Sequence, residues 1–130
     1  MVFYDSKVFW CSEESTLAVG STKERKILFD VDVNALLDMD GSFKSLVVNE
    51  NWIYLMVAND DNVTMACLEL DFENQTAKKL WITKPQKFLS DTVSLDLLLY
   101  HRTLWTIFPG EIHGYDIQTG TQQHRIHVAQ

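Results

Sequence analysis

The chain has 130 residues, 46% of them hydrophobic, and carries a formal net charge of −7. This length suits one domain, and the hydrophobic fraction is too high for a disordered chain. The sequence shows no basic patch, which argues against nucleic acid and anionic membranes as partners, because both attract basic surfaces.

No apolar run reaches the roughly 18 residues of a membrane-spanning helix, and the N-terminal stretch lacks the basic start of a signal peptide. We therefore expect the chain as given to be soluble, with any targeting segment outside it. Its two cysteines, Cys11 and Cys67, cannot form a disulfide scaffold. Because both lie in apolar runs, the sequence predicts buried free thiols.

One pattern occurs three times: a short apolar strand, a polar turn and a longer strand rich in aromatic residues. The turns begin at positions 5, 49 and 100, so 44 and 51 residues separate them. These spacings are typical of a four-stranded propeller blade, which takes about 40 to 50 residues. The two strands of the pattern are predicted at residues 1–4 and 8–11, 43–48 and 52–57, and 95–99 and 103–108.

Each unit continues with a tight polar turn, a third strand and a more polar fourth strand. The runs at residues 8–11 and 52–58 are apolar without alternation, so we expect both faces of those strands to be covered. Only residues 34–39 have a pattern that permits a short helix. The third and fourth strands are predicted at residues 16–20 and 25–29, 63–70 and 77–82, and 112–117 and 124–128.

The sequence therefore predicts an all-β fold: three four-stranded blades of a β-propeller in a single segment, residues 1–130. The predicted blades cover about residues 1–41, 42–88 and 89–130. A β-sandwich or barrel also has short strands with regular turns and remains the alternative.

The first unit resembles a known type of blade. Residues 8–12 (Val-Phe-Trp-Cys-Ser), followed by residues 17–19 and 25–28, resemble a blade of the YWTD type of extracellular propeller. Such blades occur in lipoprotein-receptor relatives and in receptor tyrosine kinases of the Ros/Sevenless type. Residues 43–56 are similar to that family's next blade, and residues 104–106 and 111–117 are more loosely similar. The resemblance implies a six-bladed ring and an extracellular, protein-binding function.

Three blades do not close a ring, because propellers usually have four to eight blades and open blade faces associate. We therefore expect the ring to be completed in one of three ways. The chain belongs to a longer polypeptide, or is one piece of a cleaved receptor, or pairs with a second copy.

Loops on a rigid scaffold commonly carry binding, so the loops that join the strands form the predicted contact face. This face covers residues 12–15, 30–41, 59–61, 84–92 and 109–111. Two sequons, at Asn62 and Asn74, make these residues candidate glycosylation sites. The candidate binding residues are Asp30, Asp32, Asp38, Asp40, Asn59, Asp60, Lys84, Pro85, Pro109 and Glu111.

No metal site, cofactor or catalytic residue is predicted. The run from Asp30 starts like an EF-hand loop but has Ala35 and Gly41 where Gly and a bidentate Glu are required. His124 and His127 are three apart on a predicted strand and so point to opposite faces. No nucleophile elbow, phosphate loop or metal motif is present.

The expected function is therefore non-catalytic protein binding by a propeller segment of an extracellular receptor or ligand-binding ectodomain. The alternative is an intracellular propeller scaffold within a larger complex. The four tryptophans are expected mostly in the core, with Trp81 and Trp105 the ones that could reach a surface.

Overall fold

A computed structural model describes residues 1–60, 62–87, 96–108 and 110–128. Apart from one short helix in these ranges, the ordered elements are β-strands. In chain order they are β1 (Val2–Tyr4), β2 (Lys7–Cys11), β3 (Thr16–Ser21), β4 (Lys26–Asp32), α1 (Val33–Leu37), β5 (Ser42–Asn49), β6 (Trp52–Asn59), β7 (Asn62–Asp71), β8 (Thr76–Ile82), β9 (Gln86–Lys87), β10 (Asp96–Tyr100), β11 (Thr103–Phe108), β12 (Glu111–Asp116) and β13 (Gln122–His127).

The strands form three antiparallel sheets, each built on four strands that follow one another in the chain, and β9 adds a fifth strand to the second sheet. Blade 1 is β1–β4, blade 2 is β5–β8, and blade 3 is β10–β13. The first strands of the blades contact in order, β1 with β5 and β5 with β10, so the sheets fan out from a common side. The predicted all-β fold of three four-stranded blades is confirmed.

Blade 2 lies between the other two blades and is covered on both faces. Along β6, alternate side chains enter different cores: Ile53 and Leu55 pack with blade 1, whereas Tyr54 and Met56 pack with blade 3. Residues 53–58 are all buried, as expected from their unbroken apolar run. The two cores therefore hold the three sheets together from either side of blade 2.

Blades 1 and 3 each have one covered and one open face. On β2 the side chain of Phe9 is fully buried, but Trp10 is 49% exposed. The prediction that Trp10 is a core residue and that residues 8–11 are covered on both faces is therefore wrong. The reason is that, among the described residues, no second sheet packs on that side of β2.

The helix α1 joins blade 1 to blade 2 and overlaps the stretch, residues 34–39, in which a helix was permitted. Asp32 caps its start by accepting a hydrogen bond from the Ala35 amide at 3.1 Å. Asp38 ends it in the left-handed conformation, with φ of 54°. Within the described ranges, no helix has the length and apolarity needed to cross a bilayer.

The strand β9 was not predicted. Its two residues pair with the start of β7, Gln86 with Val63 and Lys87 with Asn62. Neither Gln86 nor Lys87 is apolar or β-branched, so the sequence carries no strand signal there.

Trp81 lies between blades 2 and 3 and is only 7% exposed, so it belongs to the core, as most of the tryptophans were expected to do. Its indole Nε1 donates a hydrogen bond of 2.8 Å to the Ile117 carbonyl of blade 3. The ring packs against Gly120, which has φ of +74° in the β12–β13 turn. A Cβ atom at Gly120 would lie 2.5 Å from Cε3 of Trp81, so both the space and the backbone there require glycine.

We expect Gly120→Ala to lower the free energy of unfolding by about 3 kcal/mol, from the cost of a left-handed alanine plus overpacking against Trp81. Urea unfolding would measure the loss. Gln118→Ala, at an exposed position in the same turn, is the control and should change stability little. A change below about 0.5 kcal/mol for Gly120→Ala, the range of an ordinary surface substitution, would show that Trp81 does not confine this turn.

Candidate protein-binding face

The loop of residues 12–15 and the connection around α1 are fastened together by polar contacts. Ser15 is fully buried with φ of 66°, and its Oγ donates to the Gly41 carbonyl at 3.0 Å. Asn34 binds Gly41 twice, donating to its carbonyl at 3.1 Å and accepting from its amide at 3.2 Å. We call this the Ser15–Asn34–Gly41 cluster. It fixes two loops that lie far apart in sequence.

Backbone contacts extend the same junction. The Val33 amide donates to the Ser15 carbonyl at 2.9 Å, and the Phe43 amide donates to the Glu13 carbonyl at 3.3 Å. A Cβ atom at Gly41 would collide with Val57 of β6, so glycine allows this connection to lie directly against blade 2. The loops at this end are therefore held by the scaffold rather than free to rearrange.

A cleft of about 480 Å³ opens beside this cluster, between blades 1 and 2. Its rim has exposed carboxylates from three loops, which are Glu13 and Glu14, Asp40, and Asp60. We call these four side chains the acidic rim. Of the described residues that line the cleft, none is basic. The full lining is Glu13, Glu14, Asn34, Asp40, Gly41, Ser42, Ala58, Asn59 and Asp60.

The structure brings together part of the predicted contact face. Asp40, Asn59 and Asp60 line the cleft, joined by Glu13 and Glu14 from the predicted loop 12–15. The sequence indicated the loops but not their assembly, because the hydrogen bond from Ser15 to Gly41 spans 26 residues.

Other predicted binding residues lie elsewhere. Asp30 and Asp32 belong to strand β4 rather than to a loop, and Asp32 and Asp38 flank α1 as its caps. Lys84 and Pro85 are exposed in the segment between β8 and β9. Pro109 lies outside the described residues.

Glu111 was predicted in a binding loop but is the first residue of strand β12, where it is part of an ion cluster in blade 3. Its carboxylate contacts His113 Nε2 at 2.7 Å, and Arg125 donates to both carboxylate oxygens. His127 Nδ1 lies 3.6 Å from Oε1. The hydrogen bonds from Arg125, followed by the one with His113, lower the pKa of Glu111 to about 2. Glu111 therefore stabilises the pairing of β12 with β13.

The two sequon asparagines differ in setting. Asn74 is exposed in the β7–β8 turn, although its Nδ2 donates to Asp71 at 2.7 Å. Asn62 is half-buried at the start of β7, and Thr64 of its sequon is buried. Successive turns of an antiparallel sheet alternate between its ends, so Asn62 lies at the cleft end and Asn74 at the opposite end.

The two cysteines are free and buried, as predicted. Burial raises the pKa of each thiol to about 12, so neither is ionised near neutral pH. Among the described residues, no three His, Cys, Asp or Glu side chains are grouped closely enough to hold a metal ion.

We expect Glu111→Gln to destabilise the fold in a pH-dependent way. Because the pKa of Glu111 is lower in the folded chain than its ordinary 4.5, its ionised form stabilises the fold above about pH 4.5. That contribution disappears as the pH falls through about 2. The difference in urea midpoint between wild type and variant should therefore be full near neutrality and shrink to nothing at low pH.

Glu24→Gln provides the control, because Glu24 forms a pair with Lys26 at 3.5 Å in which both side chains are well exposed. This variant should differ little from wild type at any pH. A difference for Glu111→Gln that persisted unchanged at pH 2 would contradict the role given to the carboxylate.

Comparisons with known proteins concern the fold. The sequence matches no known protein family and no curated protein. Among solved structures, the Vanderwaltozyma polyspora Nup133 β-propeller domain aligns with a TM-score of 0.67 and 9% identity, over 95% of this chain and 44% of that one. A europium-containing methanol dehydrogenase aligns with a TM-score of 0.64 and 13% identity, over 95% and 23%. The chain thus spans less than half of each of these structures, and its fold is that of β-propeller blades.

Proposed function

We propose that this chain is a non-catalytic, protein-binding segment of a β-propeller, and that the acidic rim is the centre of its contact face. The observation that carries the proposal is the meeting of four carboxylates from three loops at one cleft. The fold likeness to the Nup133 β-propeller domain is consistent with a scaffold of this kind.

The acidic rim fits a partner segment that presents lysine or arginine. Like charges close together on a net acidic chain raise the local negative potential, which speeds the approach of basic partners and repels acidic ones. The Ser15–Asn34–Gly41 cluster holds the loops in place before binding, so little conformational entropy is lost when a partner docks.

We propose an extracellular receptor or ligand-binding ectodomain as the setting. The exposed sequon at Asn74 supports it, since a glycan there would project away from the cleft. An intracellular scaffold within a larger complex is the alternative, supported by two buried free cysteines, which require no oxidising compartment.

We expect neutralisation of the acidic rim to abolish partner capture. The variant combines Glu13→Gln, Glu14→Gln, Asp40→Asn and Asp60→Asn, which leave the backbone contacts of the Ser15–Asn34–Gly41 cluster intact. Immobilised wild type and variant would be compared for proteins retained from an extract of the native source. A carbodiimide that joins carboxylates directly to amines should link the rim of the wild type to lysines of the retained protein.

The matched control neutralises four exposed carboxylates in the turns at the opposite end: Asp5→Asn, Glu24→Gln, Glu50→Gln and Glu73→Gln. It changes the net charge by the same amount and should retain the partner. Equal retention by the rim variant, or loss with both variants, would overturn the assignment of the rim as the contact face.

The two settings predict opposite results for the mass of the native chain. In the extracellular setting, enzymatic removal of N-glycans should lower the intact mass and convert Asn74 to Asp. Asn62 should be glycosylated, and therefore converted to Asp, to a smaller extent, because Thr64 of its sequon is buried. An unchanged mass in chain isolated from its source would exclude glycosylation and favour the intracellular scaffold.

A further inference from the structure

We propose that two copies of this chain associate head to tail, so that blade 3 of each packs on blade 1 of the other and six blades close one ring. The surfaces involved are separate from the acidic rim, and the inference does not depend on the function proposed for it. The apolar side chains on the outer face of blade 1 are Phe3, Val8, Trp10, Ala18 and Ile27, with Asp30 opposite Ala18. Those on the outer face of blade 3 are Leu98, Trp105, Ile107, Ile112 and Ile126, with Asp96 opposite Ile107 and His124 beside Trp105.

The hairpins that open the three blades have the same register, which makes their positions comparable. The closing pairs are Tyr4 with Lys7, Asn49 with Trp52, and Tyr100 with Thr103. The third residue of the second strand is therefore equivalent in each blade, and it is aromatic in all three: Phe9, Tyr54 and Trp105.

These aromatic residues mark the face that each blade presents to the next one. Phe9 is fully buried in the core shared with blade 2, and Tyr54 is fully buried in the core shared with blade 3. Trp105 occupies the same position on blade 3 but remains half-buried, because no other sheet of the described residues packs on that side of blade 3. The outer face of blade 3 is therefore of the kind that a following blade covers.

The preceding position marks the opposite face. Ile53 and Leu104 are fully buried against the blade before them. Val8 is their equivalent on blade 1 and is only half-buried. It lines an open hollow of about 420 Å³ with Trp10 and Ile27. The outer face of blade 1 is therefore of the kind that a preceding blade covers.

The two outer faces also differ in relief. On blade 1, the small residues Ala18 and Gly20 form the floor of the hollow. On blade 3, Gly114 lets Trp105 and His124 lie stacked on the sheet with ring centroids 5.3 Å apart. The result is a broad aromatic surface on one face and an apolar hollow on the other, whereas two identical faces would lack this complementarity.

A second copy supplies the missing surfaces because each chain presents one face of each kind. Inside the chain, blade 1 packs on blade 2 and blade 2 packs on blade 3. In the dimer, the same kind of contact would form twice more, between blade 3 of each chain and blade 1 of the other. A ring of six blades lies within the four to eight that propellers use, and such head-to-tail contacts form a closed assembly.

Sedimentation velocity and light scattering would test the association. The wild type should have twice the 15.0 kDa mass of one chain over a wide concentration range. Ile27→Glu and Ile107→Glu each place a carboxylate in both new interfaces and should weaken association by about 100-fold or more. Both positions are exposed in the single chain, so each variant should fold, which far-ultraviolet circular dichroism would verify. Lys79→Glu, at an exposed position of β8, is the control and should remain dimeric.

Mixing the two variants provides the decisive observation. The intact blade 3 face of Ile27→Glu meets the intact blade 1 face of Ile107→Glu, so the mixture should form dimers that neither variant forms alone. A monomeric wild type would overturn the proposal, as would a mass that grows without limit. Loss of dimer with only one of the two variants would instead indicate a contact between identical faces.

Discussion

The burial of both faces of blade 2 is the constraint on which the rest of the fold depends. Alternate side chains of β6 enter separate cores, so one neighbouring sheet alone cannot cover both faces of this strand. Removing either outer blade would expose a row of apolar side chains to water, at about 25 cal/mol for each Å² uncovered. The three sheets are therefore expected to fold as one unit. The hydrogen bonds that pair strands lie within each sheet, but the apolar cores that join the sheets lie between them.

The same stacking creates the acidic rim. The cleft lies between blades 1 and 2, and the connection that contains α1 runs from one blade to the other. The Ser15–Asn34–Gly41 cluster holds the connection down, with the carboxylates of Glu13, Glu14, Asp40 and Asp60 left outside it. The polar groups of the cluster form hydrogen bonds that hold the loops in place, and the carboxylates of the acidic rim remain exposed to a partner. This division explains why the loops are at once fixed and strongly acidic.

The sequence predicts the strands well because each depends on local information: apolar residues bounded by polar turns. It fails where the outcome depends on a distant neighbour. Trp10 and Tyr54 both lie on apolar strands, yet only Tyr54 is covered, because burial is decided by whether another sheet lies opposite. Trp81 is buried, as expected, but its hydrogen bond to the Ile117 carbonyl in a turn of blade 3 is not indicated by its own strand. The contact face was predicted as loops, but its assembly rests on a contact 26 residues apart in sequence.

The positions of the two cysteines have a practical consequence. Cys11 belongs to the core between blades 1 and 2, whereas Cys67 belongs to the core between blades 2 and 3. Each thiol is shielded by a different pair of sheets, so alkylation of Cys11 reports separation of the first pair and alkylation of Cys67 that of the second. The labelling rates of the two thiols thus report local opening of two different cores, and their ratio shows which pair of blades separates more readily.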